Sequence, residues 1–383
     1  MSHFGTKTIA VIGAGDMGHG IAEVALLAGL KVHLVDVNKE ILSRGVSRIH
    51  ESLAKLVSKG KVEAALQEKI KSELLVPGED LANAASAADL VIEAIPEVME
   101  LKKKVFALAD KAAPKHAILA SNTSTMSITE ISKSTSRPDR VVGLHYFNPA
   151  VLMKAVEVTR GAETSNETFE DACKYVEGTG KMPFRVLKDS PGFIVNRIQA
   201  PASVLLHAIL DEGIIPPMAV DATMKSLGMP MGPFETMDYT GLDVNLHVAE
   251  YYEKALHPDY RPGRALKALV ASGRLGKKTG RGIFDWSKGK PEIDMSAGGG
   301  LIDPMDLVAV QANEAMKIVM DGVCLLKDIN PAVINGYGAV AGPIALVSGM
   351  EPRELCERLD KLAEKYGKEI FRPCEGIVKG KYR

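Results

Sequence analysis

The chain has 383 residues, 46% hydrophobic and 25% charged, enough for two or three globular domains of about 100–200 residues each. Its 47 Lys and Arg nearly balance 48 Asp and Glu, a net charge of −1, which argues against a nucleic-acid or other polyanion binder. No apolar run reaches the ~18 residues that a bilayer span takes, and the opening Met1-Ser2-His3-Phe4-Gly5-Thr6-Lys7 has no basic stretch followed by an apolar one, so neither a membrane partner nor a secretory leader is expected.

Residues 7–12 read as a buried strand, followed by a glycine-rich turn, a helix over about 17–28 with Gly29 as its stop, and a second strand over 31–36. Two strands joined by a helix within about 30 residues form a parallel pair in a sheet covered on both faces. Further apolar strands are predicted at 90–94, 117–121, 141–145 and 155–159, with a last one near 184–187. Helical stretches separate most of them, the pattern of an α/β, Rossmann-type doubly wound sheet. After Asp189-Ser190-Pro191-Gly192 helical patterns dominate, so an all-α C-terminal part is expected, with loops at 276–290 and 298–300. The scattered Cys173, Cys324, Cys356 and Cys374 include no CxxC pair; no metal site or disulfide framework is expected, and the protein reads as cytoplasmic with reduced thiols.

The helical part repeats itself. Glu212-Gly213-Ile214, Gly232-Pro233 and Arg261-Pro262 recur in the same order as Asp321-Gly322-Val323, Gly342-Pro343 and Arg372-Pro373, and the spacings within the two series agree to a single position. The expected organisation is a nucleotide-binding domain over 1–187, a helical domain over 188–290, and a degenerate second copy of it over 300–383. The second copy ends before anything like Gly276-Lys277-Lys278-Thr279-Gly280, so it is expected to be structural rather than catalytic.

Gly13-Ala14-Gly15-Asp16-Met17-Gly18 is a GxGxxG sequence in the context that gives it meaning, between a strand and a helix. Gly13 permits the tight turn, Gly15 lets backbone approach a pyrophosphate, and Gly18 lets helix and strand pack closely. The helix start then offers free N–H groups to the phosphates. Asp36 ends the second strand, at the distance beyond Gly18 where such a fingerprint places its acidic residue. A carboxylate there accepts from both adenosine ribose hydroxyls and repels a 2′-phosphate, and Val37-Asn38 supplies no Arg to receive one, so the expected cofactor is NAD rather than NADP.

His145 sits where an apolar strand runs into Tyr146-Phe147-Asn148-Pro149, at a carboxyl edge of the sheet, where ligands bind. Glu157 follows in the next predicted strand, inside the apolar Ala155-Val156-Glu157-Val158. A buried carboxylate is costly unless paired, and a histidine across the strand pair satisfies it. The pair suits alcohol oxidation: imidazole is a base near neutral pH, and a carboxylate on its far nitrogen fixes the tautomer and stabilises the imidazolium. Spacing alone leaves open a satisfied core His and a strand-edge Glu.

Gly143-Leu144-His145-Tyr146-Phe147-Asn148-Pro149, Ser121-Asn122-Thr123-Ser124, Asp189-Ser190-Pro191-Gly192-Phe193-Ile194-Val195-Asn196-Arg197 and Gly276-Lys277-Lys278-Thr279-Gly280-Arg281-Gly282 together resemble the signatures of the 3-hydroxyacyl-CoA dehydrogenase family. With the glycine turn they span residues 7 to about 286 in the family's order. The resemblance implies an NAD-dependent oxidoreductase moving a hydride between nicotinamide and the carbinol carbon of a short acyl-CoA, such as the 3-hydroxybutyryl-CoA/acetoacetyl-CoA couple. It implies His145 as general base, Glu157 as its acidic partner, Ser124 as the hydroxyl holding the reacting substrate oxygen, and Asn196 as the contact to the thioester end. Glu97, Lys102, Asn148 and Lys278 resemble nicotinamide-side and ribose contacts, beside the glycine turn with Asp16 and Met17. Ser52 and Lys59, on one helical stretch, resemble coenzyme A contacts, a cation there meeting phosphate. Tyr146, where the family more often has Phe, and His19, inside the first helix, depart from the pattern.

Short members of this family resemble homodimers paired through the helical domain, and longer multifunctional relatives carry two copies in one chain. The second copy is therefore expected to replace the partner, giving a monomer, or a homodimer that does without that contact. No hydratase-length segment is present, so hydratase activity is not expected. Two other readings compete: a 3-hydroxyisobutyrate or 6-phosphogluconate type of dehydrogenase, which uses a catalytic Lys from the helical domain, and a non-catalytic NAD-binding structural protein. The first fails to explain the His145–Glu157 pattern. The second fails to explain why His145, Glu157, Ser124 and Asn196 are all intact.

Overall fold

The computed structural model describes residues 5–383. The N-terminal reading over residues 1–4 lies outside the described residues. The chain divides into two compact units: one runs through Phe193 and takes in Asn335–Gly338, and the other comprises Ile194–Ile334 and Ala339–Arg383.

Among the described residues of the first unit, eight strands form one sheet: β1 (Thr8–Ile12), β2 (Lys31–Val35), β3 (Leu75–Gly78), β4 (Leu90–Glu93), β5 (Ile118–Ser121), β6 (Val141–Tyr146), β7 (Ala155–Arg160) and β8 (Met182–Val186). The order is β3-β2-β1-β4-β5-β6-β7-β8, parallel throughout except for the β6–β7 pair. The strands are continuous apolar runs because helices cover both faces, and Ile9, Val11, Leu34, Ile92, Val142 and Val158 are all buried in one core. The chain order reverses direction between β1 and β4, the switch point where doubly wound sheets bind ligands. The glycine turn leaves β1 there and opens the Gly18–Leu27 helix.

The sequence reading missed β3. It is a short edge strand containing Pro77 and Gly78, a composition confined to sheet edges, where a missing ladder donor does no harm. The other correction concerns β7. No helix joins it to β6, so it runs antiparallel, and His145 pairs directly with Glu157 in the ladder. Glu157 is thus a mid-strand residue.

The second unit is helical. Val195–Glu212, Pro217–Ser226, Pro233–Thr240, Leu242–Ala255 and Arg264–Ala271 are followed by Pro304–Met320, Leu326–Tyr337, Pro343–Val347, Pro352–Tyr366 and Glu375–Val378. The landmark glycines do the same local work in each series. A Cβ on Gly232 would lie 2.2 Å from the Asp221 carboxyl carbon, and one on Gly342 would lie 2.3 Å from Asn330 Oδ1. Asp221 accepts from the Phe234 and Glu235 amides at 2.9 and 2.7 Å, and Asn330 Oδ1 accepts from the Ile344 and Ala345 amides at 3.1 and 3.2 Å. In both, a side chain from a preceding helix caps the helix that begins Gly-Pro, replacing an N-cap side chain that glycine lacks. The opening helices of the two series pack together, with Gln311 Nε2 donating to Gln199 Oε1 at 2.6 Å and Arg197 Nε to Glu314 Oε1 at 2.5 Å. No helix among the described residues is long and apolar enough to cross a membrane.

The caps differ in charge, and that difference is testable. Asp221 is fully buried, and burial pushes its carboxyl up to about 7 against the opposing pull of the two amides. A group raised in the folded state stabilises it below its unfolded pKa, and loses that contribution as pH rises through the folded value. Asp221→Asn, which mimics the second cap, removes this dependence. Between about pH 4 and 8 the wild type is expected to lose roughly 2–4 kcal/mol more unfolding free energy than the variant. Parallel urea-unfolding curves across that window would refute the assignment.

Candidate active site

The turn after β1 is shaped by its glycines. Gly13 has φ +99°, which favours glycine, and a Cβ on Gly18 would lie 1.7 Å from the Gly13 carbonyl oxygen. Around a Cβ on Gly15, by contrast, there is nothing within 4 Å, so that position faces open space. The helix that follows has no side-chain cap, which leaves its first N–H groups for a ligand. Asp36 Oδ2 accepts from the Ala14 amide at 2.9 Å and Oδ1 from the Asn38 amide at 2.9 Å. These bonds tie the end of β2 to the glycine turn, and each oxygen keeps a lone pair for a ribose hydroxyl. An open cradle, an uncapped helix start and a fixed carboxylate fit the diphosphate and adenosine ribose of NAD. Met17 begins the turn into the helix, while Asp16 points outward to Arg48 at 2.5 Å. His19 Nδ1 lies 2.7 Å from the Gly15 carbonyl and pins the turn from within the helix.

His145 and Glu157 meet as their pairing requires. His145 Nδ1 lies 2.6 Å from Glu157 Oε2, with the imidazole 6% exposed and the carboxylate fully buried. A buried carboxylate makes Nδ1 the protonated nitrogen, so Nε2 carries the lone pair. The ring is held by Phe147, 4.5 Å away between centroids, and by Phe193 at 6.1 Å.

A second buried network lies at the carboxyl ends of β4 and β5. Lys102, 1% exposed, places its ammonium 2.7 Å from Glu93 Oε1 and 3.1 Å from Glu97 Oε2. Glu93 also accepts from Ser121 Oγ at 2.6 Å and the Ile95 amide at 2.8 Å. Glu97 Oε1 accepts from the Thr123 hydroxyl and from the Ser124 amide at 3.1 Å. Burial pushes the Glu97 carboxyl up, but Lys102, Thr123 and Ser124 outweigh it and hold it below the ordinary carboxylate range. Lys102 is therefore an internal counter-ion that orients Glu97, and Glu97 orients Ser124.

The remaining sequence-derived residues are spread over both units. Asn148 is exposed in the loop after β6, close behind His145 in the chain. Ser52 lies on the Lys39–Ser58 helix and lowers the pKa of Glu23, a buried carboxyl that burial nonetheless raises to about 7; Lys59 is the exposed C-cap of the same helix. Asn196 starts the Val195–Glu212 helix and Lys278 pairs with Asp243, both in the helical unit. Sequence reasoning missed Glu93 and gave no role to Thr123, Phe193 and Asp189 within their motifs. Asp189 Oδ2 accepts from Ser127 Oγ at 2.6 Å and the Thr129 amide at 2.8 Å, closing the loop beyond Ser124. Glu93 had a signal: a carboxylate at the end of the apolar Leu90-Val91-Ile92, the same anomaly that marks Glu157.

The family model for the 3-hydroxyacyl-CoA dehydrogenase NAD binding domain matches residues 8–190, and that for the C-terminal domain of the same enzymes matches residues 192–286. A probable 3-hydroxybutyryl-CoA dehydrogenase of Bacillus subtilis is 42% identical over 285 residues, covering 74% of this chain and 98% of its own. A 3-hydroxyadipyl-CoA dehydrogenase of Escherichia coli is also 42% identical, over 73% of this chain and 59% of its own length. Among solved structures, 3-hydroxybutyryl-CoA dehydrogenase from Escherichia coli superposes with a TM-score of 0.88 at 32% identity and covers 98% of both chains, so its likeness extends over the second helical series. The sheet, the cofactor cradle, the strand-paired His and Glu, and these matches agree: the chain belongs to the 3-hydroxyacyl-CoA dehydrogenase family and carries that family's NAD-binding domain.

Proposed function

We propose that the protein interconverts short 3-hydroxyacyl-CoA and 3-oxoacyl-CoA, with 3-hydroxybutyryl-CoA and acetoacetyl-CoA as the representative pair. The observation that carries this reading is the 2.6 Å contact between His145 Nδ1 and the buried Glu157 carboxylate, at the sheet edge where the dinucleotide cradle opens. Nε2 takes the substrate hydroxyl proton as hydride leaves the carbinol carbon, which becomes the ketone. Glu157, itself fully buried, balances the imidazolium so formed. NAD, when bound, accepts the hydride. Ser124, aligned through Glu97, holds the reacting oxygen, and Asn196 the thioester end; both act by orientation. Ser52 and Lys59 receive coenzyme A, and Asn148 and Lys278 the nicotinamide side.

The test is turnover of acetoacetyl-CoA with NADH, followed at the NADH absorbance band. A rate that saturates in both substrates is expected, with NADPH far weaker because the Asp36 carboxylate repels a 2′-phosphate. No turnover, or equal use of NADPH, would overturn the reading.

We further infer that residues 300–383 are a duplicate of the helical domain and stand where a partner subunit would. The paired opening helices, joined by Arg197–Glu314 and Gln199–Gln311, support this. Light scattering should then return a particle of 41.0 kDa, or an assembly that leaves these helices covered by their own chain. A dimer whose two chains cross-link through the Val195–Glu212 helix would refute it. The free thiols of Cys173, Cys356 and Cys374 suit a cytoplasmic enzyme.

A further inference from the structure

The helix Leu326–Tyr337 belongs to the second helical series, yet its last residues, Asn335–Gly338, cluster with the sheet unit. There the Tyr337 ring meets the Phe147 ring edge-on, with centroids 6.0 Å apart and planes at 74°. Phe147 is itself the ring that lies 4.5 Å from the His145 imidazole. The approach is as close as backbone allows. A Cβ on Gly336 would come within 3.1–3.3 Å of three carbons of the Phe147 ring, so a side chain there would force the helix end or the ring to move. Tyr337 is 47% exposed, and its phenol is raised above the ordinary tyrosine value, first by burial and then by the Glu157 carboxylate.

The repeat supplies an internal control. In the register set by Gly232 and Gly342, the first series has Leu227 where the second has Tyr337, and Leu227 is 58% exposed. The aromatic residue is thus peculiar to the copy expected to be merely structural.

We propose that Tyr337 is a positioning residue for the His145–Glu157 pair, its ring buttressing Phe147 so that the imidazole keeps the orientation proton transfer needs. The Asn335–Gly338 segment of the first unit then contributes to the active site. This rests on the reading of His145 as the base. Edge-to-face ring pairs hold geometry more than they add affinity, and small misplacements of a base are costly in rate.

The test uses the full chain, acetoacetyl-CoA and NADH. Tyr337→Leu, the residue of the first series, is expected to lower kcat about tenfold while the Kd for NADH and the melting temperature stay near wild type. Tyr337→Phe keeps the ring and restores most of kcat. Gly336→Ala, which pushes the helix end from Phe147, lowers kcat as Tyr337→Leu does. Wild-type kcat in both Tyr337→Leu and Gly336→Ala overturns the proposal, as does a Tyr337→Phe variant no faster than Tyr337→Leu. A wild-type enzyme without turnover overturns the underlying functional reading instead, so the two failures are distinct.

Discussion

His145→Gln is expected to lower kcat/KM for acetoacetyl-CoA by about 10²–10⁴-fold, the range that a positioned general acid–base contributes. Gln can donate to Glu157 and fill much of the imidazole's volume, so the strand pairing of His145 with Glu157 and the flanking rings of Phe147 and Phe193 are retained. What is lost is the only group at that position able to take and return a proton near neutral pH. Because the cradle at Gly13, Gly15 and Asp36 is untouched, NADH affinity measured by fluorescence is expected to stay within about threefold, placing the loss in the chemical step. Glu157→Gln keeps a hydrogen-bond acceptor for Nδ1 but removes the charge that balances the imidazolium. Its kcat is expected to fall roughly 10²-fold or more, since a misassigned tautomer alone is that costly in related triads. Activity of His145→Gln within about threefold of wild type would exclude the imidazole as base and favour a lysine-dependent dehydrogenase.

Features governed by local chemistry were legible in the sequence. The GxGxxG turn and the strand-ending Asp36 announce themselves because few sequences meet their steric demands. Glu157 does so because a charged residue in an apolar strand needs a partner. Features that depend on pairing across the chain were less so. β3 is too short and too rich in Pro and Gly to show a period, and only its position at the edge of the sheet makes Leu75–Gly78 a strand. The antiparallel turn of β7 follows from the absence of a crossover helix, information carried by a short loop after Tyr146 that has no periodicity. The inward placement of Lys102 was not legible. On the helix Met99–Ala112 it resembles one of several surface lysines, and only the fold turns it inward between Glu93 and Glu97. Tyr337 was invisible, because its significance lies in a contact with Phe147, which is remote from it along the chain.

The role of Lys102 leads to the second large effect. Lys102→Met is expected to destabilise the protein by about 3–5 kcal/mol, the cost of leaving a buried charge without its partner. The ammonium is the shared counter-ion of Glu93, itself 1% exposed, and of Glu97. Without it, burial dominates at Glu97 and its carboxyl shifts toward the protonated form, so the bonds from the Thr123 hydroxyl and the Ser124 amide weaken. Ser124 then loses its alignment, and KM for acetoacetyl-CoA should rise along with the Kd for NADH. A lysine that touches the cofactor directly makes a different prediction: weaker NADH binding with unchanged unfolding free energy. Guanidinium unfolding of the apoprotein separates the two. Adding Glu93→Gln to Lys102→Met removes one of the orphaned charges and should recover a substantial part of the lost stability while leaving the kinetic defect. Wild-type stability of the single variant would return Lys102 to the cofactor and leave Glu97 to be held by Thr123 and Ser124 alone.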